Sequence, residues 1–251
     1  MRTRRRRQSS GTGSGSEAGD GSSSGTNGES ADDAVDGTIE LSDLERHLRE
    51  AGSVTVTWSY AGLGANGVEQ GVTRECYADL NTGRSHTDTS AGDGESVEQF
   101  VADGVTYLRT GTGDTATHAA YEGSTDVIAT AVSLSQARAY GTNDDMAFAG
   151  AETFDGVSVD RYELSAANEA LILAESAAAA ESADEMEVTS FEYVVLVDED
   201  GLSRYESWSF TGRTGDGAEV RGSWEYSLTA VGSTAVDDPD WLADARAQRV
   251  G

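Results

Sequence analysis

Two stretches of this sequence match motifs that perform chemistry in other proteins. Gly21-Ser22-Ser23-Ser24-Gly25 fits the G-x-S-x-G nucleophile pattern, and Gly62-Leu63-Gly64-Ala65-Asn66-Gly67 fits the G-x-G-x-x-G dinucleotide fingerprint. Neither has the context its chemistry needs. A nucleophilic serine must sit on a sharp strand-to-helix turn, but residues 8–37 are Gly, Ser, Thr, Asn and acidic residues with almost nothing to bury. The glycine fingerprint receives pyrophosphate only when a helix N-terminus follows it. Here Val68 to Leu80 follows, with Val72, Cys76 and Leu80 spaced for a strand, so the glycines read as a hairpin loop. Metal ligation has as little to build on. His47, His86 and His118 fall on a helix and two strands without ligand spacing, and zinc wants three or four convergent donors. Asp198-Glu199-Asp200-Gly201 has a calcium-like composition but not the twelve-position loop with its closing glutamate, so a hairpin turn accounts for it. Asp237, Asp238 and Asp240 read as solvated surface, and with 45 acidic residues any carboxylate spacing occurs by abundance. A single cysteine, Cys76, excludes an internal disulfide and a cysteine zinc site. The chain is therefore expected to carry no catalytic constellation, no metal and no cofactor.

What remains is aromatic. From Phe191 to Val231 three runs alternate apolar and polar side chains, which places alternate residues of a strand on one face. Phe191, Tyr193, Val195 and Val197 share a face in the first run, Trp208 and Phe210 in the second, and Val220, Trp224, Tyr226 and Leu228 in the third. Asp200-Gly201 and Asp216-Gly217 supply the reversals between them. Trp58 joins this face from an earlier run, Val54 to Tyr60. If the face holds a ligand, its lining is Trp58, Tyr193, Val195, Trp208, Phe210, Trp224 and Tyr226; otherwise the same residues are the core.

Other elements must position that face. Ser42 and Glu45 form a capping box ahead of Leu44 and Leu48, and Gly52 closes the helix. Short strands follow at residues 84–89, 95–102, 105–109 and 116–121, with Asp103-Gly104 as the clearest hairpin signal. A second helix, capped by Ser124 or Thr125, runs through Ala139 and is closed by Gly141. Strands at 147–154 and 157–164 meet at Asp155-Gly156, and an alanine-rich third helix spans Asn168 to Ala180. About eleven strands with about three scattered helices leave no βαβ alternation. They predict an α+β fold, one antiparallel sheet partly wrapped around its helices, over residues 38–242, flanked by a basic start and flexible tether at 1–37 and a flexible tail at 243–251.

The charge sets the environment. Against 45 acidic residues stand 17 basic ones, all arginine, for a formal net charge of -28. Such self-repulsion needs screening, and the composition reads as that of an extreme halophile, since the Debye length falls to ~3 Å at 1 M salt. With no basic patch inside the fold, nucleic acid is not an expected partner. No run is apolar for long enough to cross a bilayer, and Gln8-Ser9-Ser10-Gly11 stands where a signal peptide after MRTRRRR would be apolar.

Three segments, Asp103-Gly104-Val105-Thr106-Tyr107-Leu108-Arg109, Asp155-Gly156 through Leu164, and Val197-Asp198-Glu199-Asp200-Gly201-Leu202-Ser203-Arg204, with the closing Pro239-Asp240-Trp241, resemble the LolA/LppX-type carrier and lipoprotein superfamily in their order. The likeness is greatest to the secreted lipoproteins of haloarchaea and spans about Thr38 to Leu242. It implies a strongly curved half-barrel sheet with helices on its concave side, no enzymatic activity, and a lipid or other apolar small molecule held in the concavity by a monomer. It also implies an extracytoplasmic, cell-surface location through a lipidated cysteine ahead of the tether. The lipobox cysteine is not among these residues, so an anchor is expected upstream of Met1; the alternatives are export by another route or a cytoplasmic protein. A structural or interaction module of the cell surface, with the same face filled by its own helices, is the alternative function.

Overall fold

A computed structural model describes residues 39–92, 94–141, 145–165 and 186–248. The GSSSG stretch and the helix expected over Asn168 to Ala180 lie outside them. The described chain runs α1 (Leu44–Ala51), β1 (Ser53–Leu63), β2 (Glu69–Asp79), β3 (Arg84–Ala91), β4 (Ser96–Ala102), β5 (Val105–Thr110), β6 (Thr117–Glu122), α2 (Val127–Leu134) and α3 (Ala137–Tyr140). It continues through β7 (Ala147–Phe154), β8 (Val157–Leu164), β9 (Met186–Asp198), β10 (Ser203–Thr214), β11 (Glu219–Thr229) and α4 (Leu242–Gln248). All eleven strands form one antiparallel sheet in the order β6-β5-β4-β3-β2-β1-β11-β10-β9-β8-β7. The pairing of β1 with β11 brings the first and last strands together at the centre, and β6 and β7 stay as separate edges, so the sheet is an open half-barrel.

Tight aspartate-glycine turns carry the meander. Asp103-Gly104 and Asp155-Gly156 have φ of 55° and 73°, and of 50° and 78°, the left-handed pairs that match the twist of a hairpin. The Gly62 to Gly67 stretch spans the end of β1 and its loop to β2, as the hairpin reading predicts. At the β9–β10 turn the Asp198 carboxylate accepts from the backbone N–H of Asp200 and Leu202 at 3.0 and 2.9 Å and from the Arg204 guanidinium at 2.6 Å. A carboxylate so committed serves the turn.

The inner, concave face is covered by α1, α2 and α3. Leu44 and Leu48 of α1 and Ile128 and Ala131 of α2 bury against Val54, Val56, Trp224, Tyr226 and Leu228. Fully burying one such aliphatic side chain is worth about 1.5–3 kcal/mol. The helix starts differ from the sequence reading. Asp43, not Ser42, caps α1, accepting from the Arg46 N–H at 3.1 Å. The Ser42 N–H instead donates to the Gly201 carbonyl at 2.8 Å, which ties the approach segment to the β9–β10 turn and starts the helix one residue later. Asp126, not Ser124 or Thr125, caps α2, accepting from Ile128 and Ala129. The continuous helix expected through Ala139 is broken at Ser135-Gln136, where Glu206 of β10 accepts the Gln136 N–H.

The flexible tail expected from residue 243 is corrected over its first part. Leu242–Gln248 forms α4, with Leu242 and Ala245 buried. It packs on the opposite, outer face of the sheet, over Phe100, Tyr107 and Ala120, residues whose register places them back to back with the inner set. Trp241 fastens it by donating from its indole N–H to Glu98 at 2.6 Å. His118 stacks on the same indole at 5.9 Å between centroids.

Candidate functional site

Side-chain alternation brings all seven residues of the expected lining to the inner face. Trp58 lies opposite Tyr226, Trp208 lies opposite both Trp224 and Tyr193, and Phe210 lies opposite Phe191. The rings form one continuous row. Trp224 stacks on Tyr226 at 6.0 Å and on Trp208 at 6.4 Å, Trp208 meets Phe210 at 5.9 Å, and Tyr60 approaches Trp208 edge-on at 6.2 Å. Such geometry adds to what the buried area alone contributes.

Burial divides the row into two parts. Tyr193, Val195 and Tyr226 are 0% exposed and Trp224 only 4%; these four are sealed beneath the helices. Trp58, Trp208 and Phe210 keep part of their surface accessible, as does Tyr60, which the sequence reading placed on the strand but not in the lining. The open part sits where β1, β10 and β11 lose their side chains to glycine. A Cβ at Gly222 would lie 2.6 Å from Cε1 of Phe210, so the ring rests directly on the backbone of β11. The indole nitrogen of Trp208 is buried and has no hydrogen-bond partner among the described residues.

Glu206, on the same face of β10, escaped the sequence reading. It is 0% exposed, and its carboxylate accepts from the Ser135 hydroxyl at 2.5 Å, the Gln136 N–H at 2.7 Å and the Tyr193 hydroxyl at 3.3 Å. The acceptor reaches a backbone N–H that a continuous helix would have turned toward its own carbonyl ladder. The sheet thus takes over the orphan donors at the α2–α3 junction, and the helix divides there. Burial pushes the Glu206 carboxyl above the ordinary range, and the bonds from Ser135, Gln136, Ser203 and Tyr193 oppose that shift. Tyr193 and Tyr226 are likewise pushed well above the ordinary phenol value, first by burial and then by the neighbouring Glu206; Tyr226 donates to the Ala131 carbonyl at 3.1 Å. An acid at an inward position between Arg204 and Trp208 was the signal available in the sequence.

Two clefts open beside α2. One, of about 20 Å³, is lined by Trp58, Arg74, Cys76, Gln99 and Leu134 among others. The second, of about 60 Å³, lies between Leu41, Leu44, Val132 and Leu202. Burial raises the Cys76 thiol above its ordinary value, offset by the Thr87 hydroxyl at 3.2 Å, which suits a packing cysteine and not a nucleophile. Among the described residues no three His, Cys, Asp or Glu side chains gather to hold a metal ion, and no helix is long and apolar enough to cross a membrane.

Residues 8–245 match a family of unknown function, DUF7537. The chain belongs to that family. No curated protein matches the sequence. Among solved structures the fold is similar to the Mycobacterium tuberculosis lipoprotein LppX, at 14% identity and a TM-score of 0.37, over 77% of this chain and 95% of that one. It is similar also to LprF from Mycobacterium bovis, at 8% identity and a TM-score of 0.34, over 78% and 96%. A LolA superfamily protein from Nitrosomonas europaea matches at 10% identity and a TM-score of 0.23, over 80% and 97%.

Proposed function

We propose that this DUF7537 protein is a non-enzymatic, extracytoplasmic binder that holds a lipid or acyl chain on the inner face of its half-barrel. The observation that carries this reading is the open end of the aromatic row. Trp58, Tyr60, Trp208 and Phe210 are left partly accessible beside Tyr193, Trp224 and Tyr226, which are sealed, and aromatic walls with few polar groups are what an apolar ligand selects. The buried indole N–H of Trp208, without a partner among the described residues, adds a donor that a ligand oxygen would satisfy. Among the described residues no reacting group competes with this reading: the acid enclosed on the face, Glu206, is occupied by donors from β9 and the α2–α3 junction. A surface location, attachment through the N-terminal side and a monomeric state complete the proposal, together with a saline environment that screens the charge of -28.

The second reading, a surface module with a filled core, is favoured by the clefts. These two clefts, of about 20 and 60 Å³, accept water-sized guests and not an enclosed chain, and a ligand beside α2 would lie along the open row or displace that helix. Mass spectrometry of an organic extract of the protein purified from its native host separates the two. The binder reading expects a stoichiometric lipid; a clean extract, with no uptake of added fatty acid, leaves the filled module.

A further inference from the structure

We propose that the ligand is an amphiphile with an anionic head, and that Arg74 receives the head; this rests on the apolar-binder reading above. The sheet sorts its charges by face. Register places Val72, Arg74 and Cys76 of β2 on the inner face, across from Tyr60, Trp58 and Val56 on one side and Ala91, Thr89 and Thr87 on the other. Followed through β3 to β6, the same alternation puts every carboxylate of these strands on the outer face: Glu69, Glu75, Asp79, Asp88, Glu98 and Glu122. The other basic side chains of β2 to β6, Arg84, His86, Arg109 and His118, also point outward, and Glu98 alone engages Arg109 at 2.6 Å and His86 at 3.6 Å there. Arg74 is thus the one charged side chain on the inner face of this arm. In a chain with 45 acidic residues, it has neither an ion pair nor a hydrogen bond among the described residues.

An arginine facing an apolar wall without a counter-ion gives up part of its hydration uncompensated unless something anionic arrives. Its surroundings suit such a guest. The cleft at Arg74 is bounded by Trp58, Val127 and Leu134 on its apolar side and by Thr87, Gln99 and Thr130 on its polar side. A planar guanidinium with hydroxyl and amide neighbours is matched to a carboxylate or phosphate, which it binds through paired N–H donors. The 20 Å³ cleft is the size of a head-group oxygen and not of a chain. The chain has its own path: Trp58 lies directly opposite Arg74 and Tyr60 opposite Val72, and Tyr60 leads to Trp208 and Phe210. Head and tail positions are therefore contiguous.

The test uses a fluorescent polyene fatty acid and its methyl ester, titrated into the folded protein in molar KCl. The acid is expected to bind wild type about tenfold or more tightly than the ester, one charge-assisted contact being the difference. Arg74→Gln is expected to weaken the acid by the same factor and leave the ester unchanged, and the acid-ester comparison on wild type stands without any variant. Acid and ester binding equally, and equally to Arg74→Gln, overturns the head-group assignment while the apolar-binder reading survives. Binding of neither overturns both. Inorganic phosphate is expected to displace the acid only in large excess; displacement at equal concentration makes this a simple anion site and also overturns the amphiphile.

Discussion

Replacing Glu206 by leucine should loosen the attachment of the helices to the sheet. The carboxylate is the shared acceptor for the Ser135 hydroxyl, the Gln136 N–H and the Tyr193 hydroxyl. Leucine fills its volume but strands those donors, and a buried donor left unmade costs about 1–3 kcal/mol. The hydroxyls can turn elsewhere while the backbone N–H cannot, so a loss of about 3–5 kcal/mol is expected, a large fraction of a typical domain's stability. Glu206→Gln keeps an acceptor for Gln136 and can donate to Ser135, so it should cost about 1 kcal/mol or less near neutral pH. The pH dependence has a definite sign. Because burial raises the folded-state carboxyl, the native protein binds its proton more tightly than the unfolded chain does. Stability from this group is therefore full below the ordinary glutamate value of about 4.3 and is lost as pH rises through the folded value. Thermal unfolding of wild type and Glu206→Gln in molar KCl, stepped upward from pH 4, checks this: the wild-type advantage should shrink or reverse with rising pH. A gap that stays constant, or one that widens in favour of wild type, refutes the reasoning.

Three further outcomes are expected. Trp241→Ala removes the indole that bonds Glu98 and packs with Phe100 and Tyr107; it should cost about 3–5 kcal/mol and speed amide exchange through residues 241–248, whereas unchanged exchange there would show that α4 docks without it. Gly222→Ala sets a Cβ 2.6 Å from the Phe210 ring, so the ring must swing off β11 and polyene fatty acid affinity should fall; retained affinity places the chain elsewhere. With a net charge of -28, circular dichroism through a descending salt titration should show the fold loosening as the Debye length grows, and a spectrum indifferent to dialysis would remove the halophile argument.

Most of the sheet was legible because its signals are local. Alternation over β9, β10 and β11 and the aspartate-glycine turns at 103, 155 and 200 act within a few residues, and the observed strands follow them. The elements that departed from expectation answer to distant partners. Glu206 breaks the α2–α3 helix from a position 71 residues further along the chain from Ser135, and no periodicity near Ser135 signals it. Ser42 loses its capping role to a bond with Gly201. The helix after Trp241 has only seven residues, too short to read by pattern, and is held by Glu98 at a separation of 143. The aromatic face was legible as a face, but its division into sealed and open parts was not, because that depends on which rings α1 to α3 happen to cover. Arg74 was passed over for a related reason: an arginine in a strand of alternating pattern looks solvated until its neighbours on both sides are known.

The four tryptophans offer the most direct test of ligand placement. Trp58, Trp208 and Trp224 face inward, and Trp241 lies on the outer face under α4. In protein labelled with 5-fluorotryptophan, fluorine NMR during titration with a spin-labelled fatty acid should broaden the Trp58 and Trp208 resonances first, Trp224 less, and leave Trp241 sharp. Broadening of Trp241 alone, or of no tryptophan at all, would contradict a ligand site on the open aromatic row.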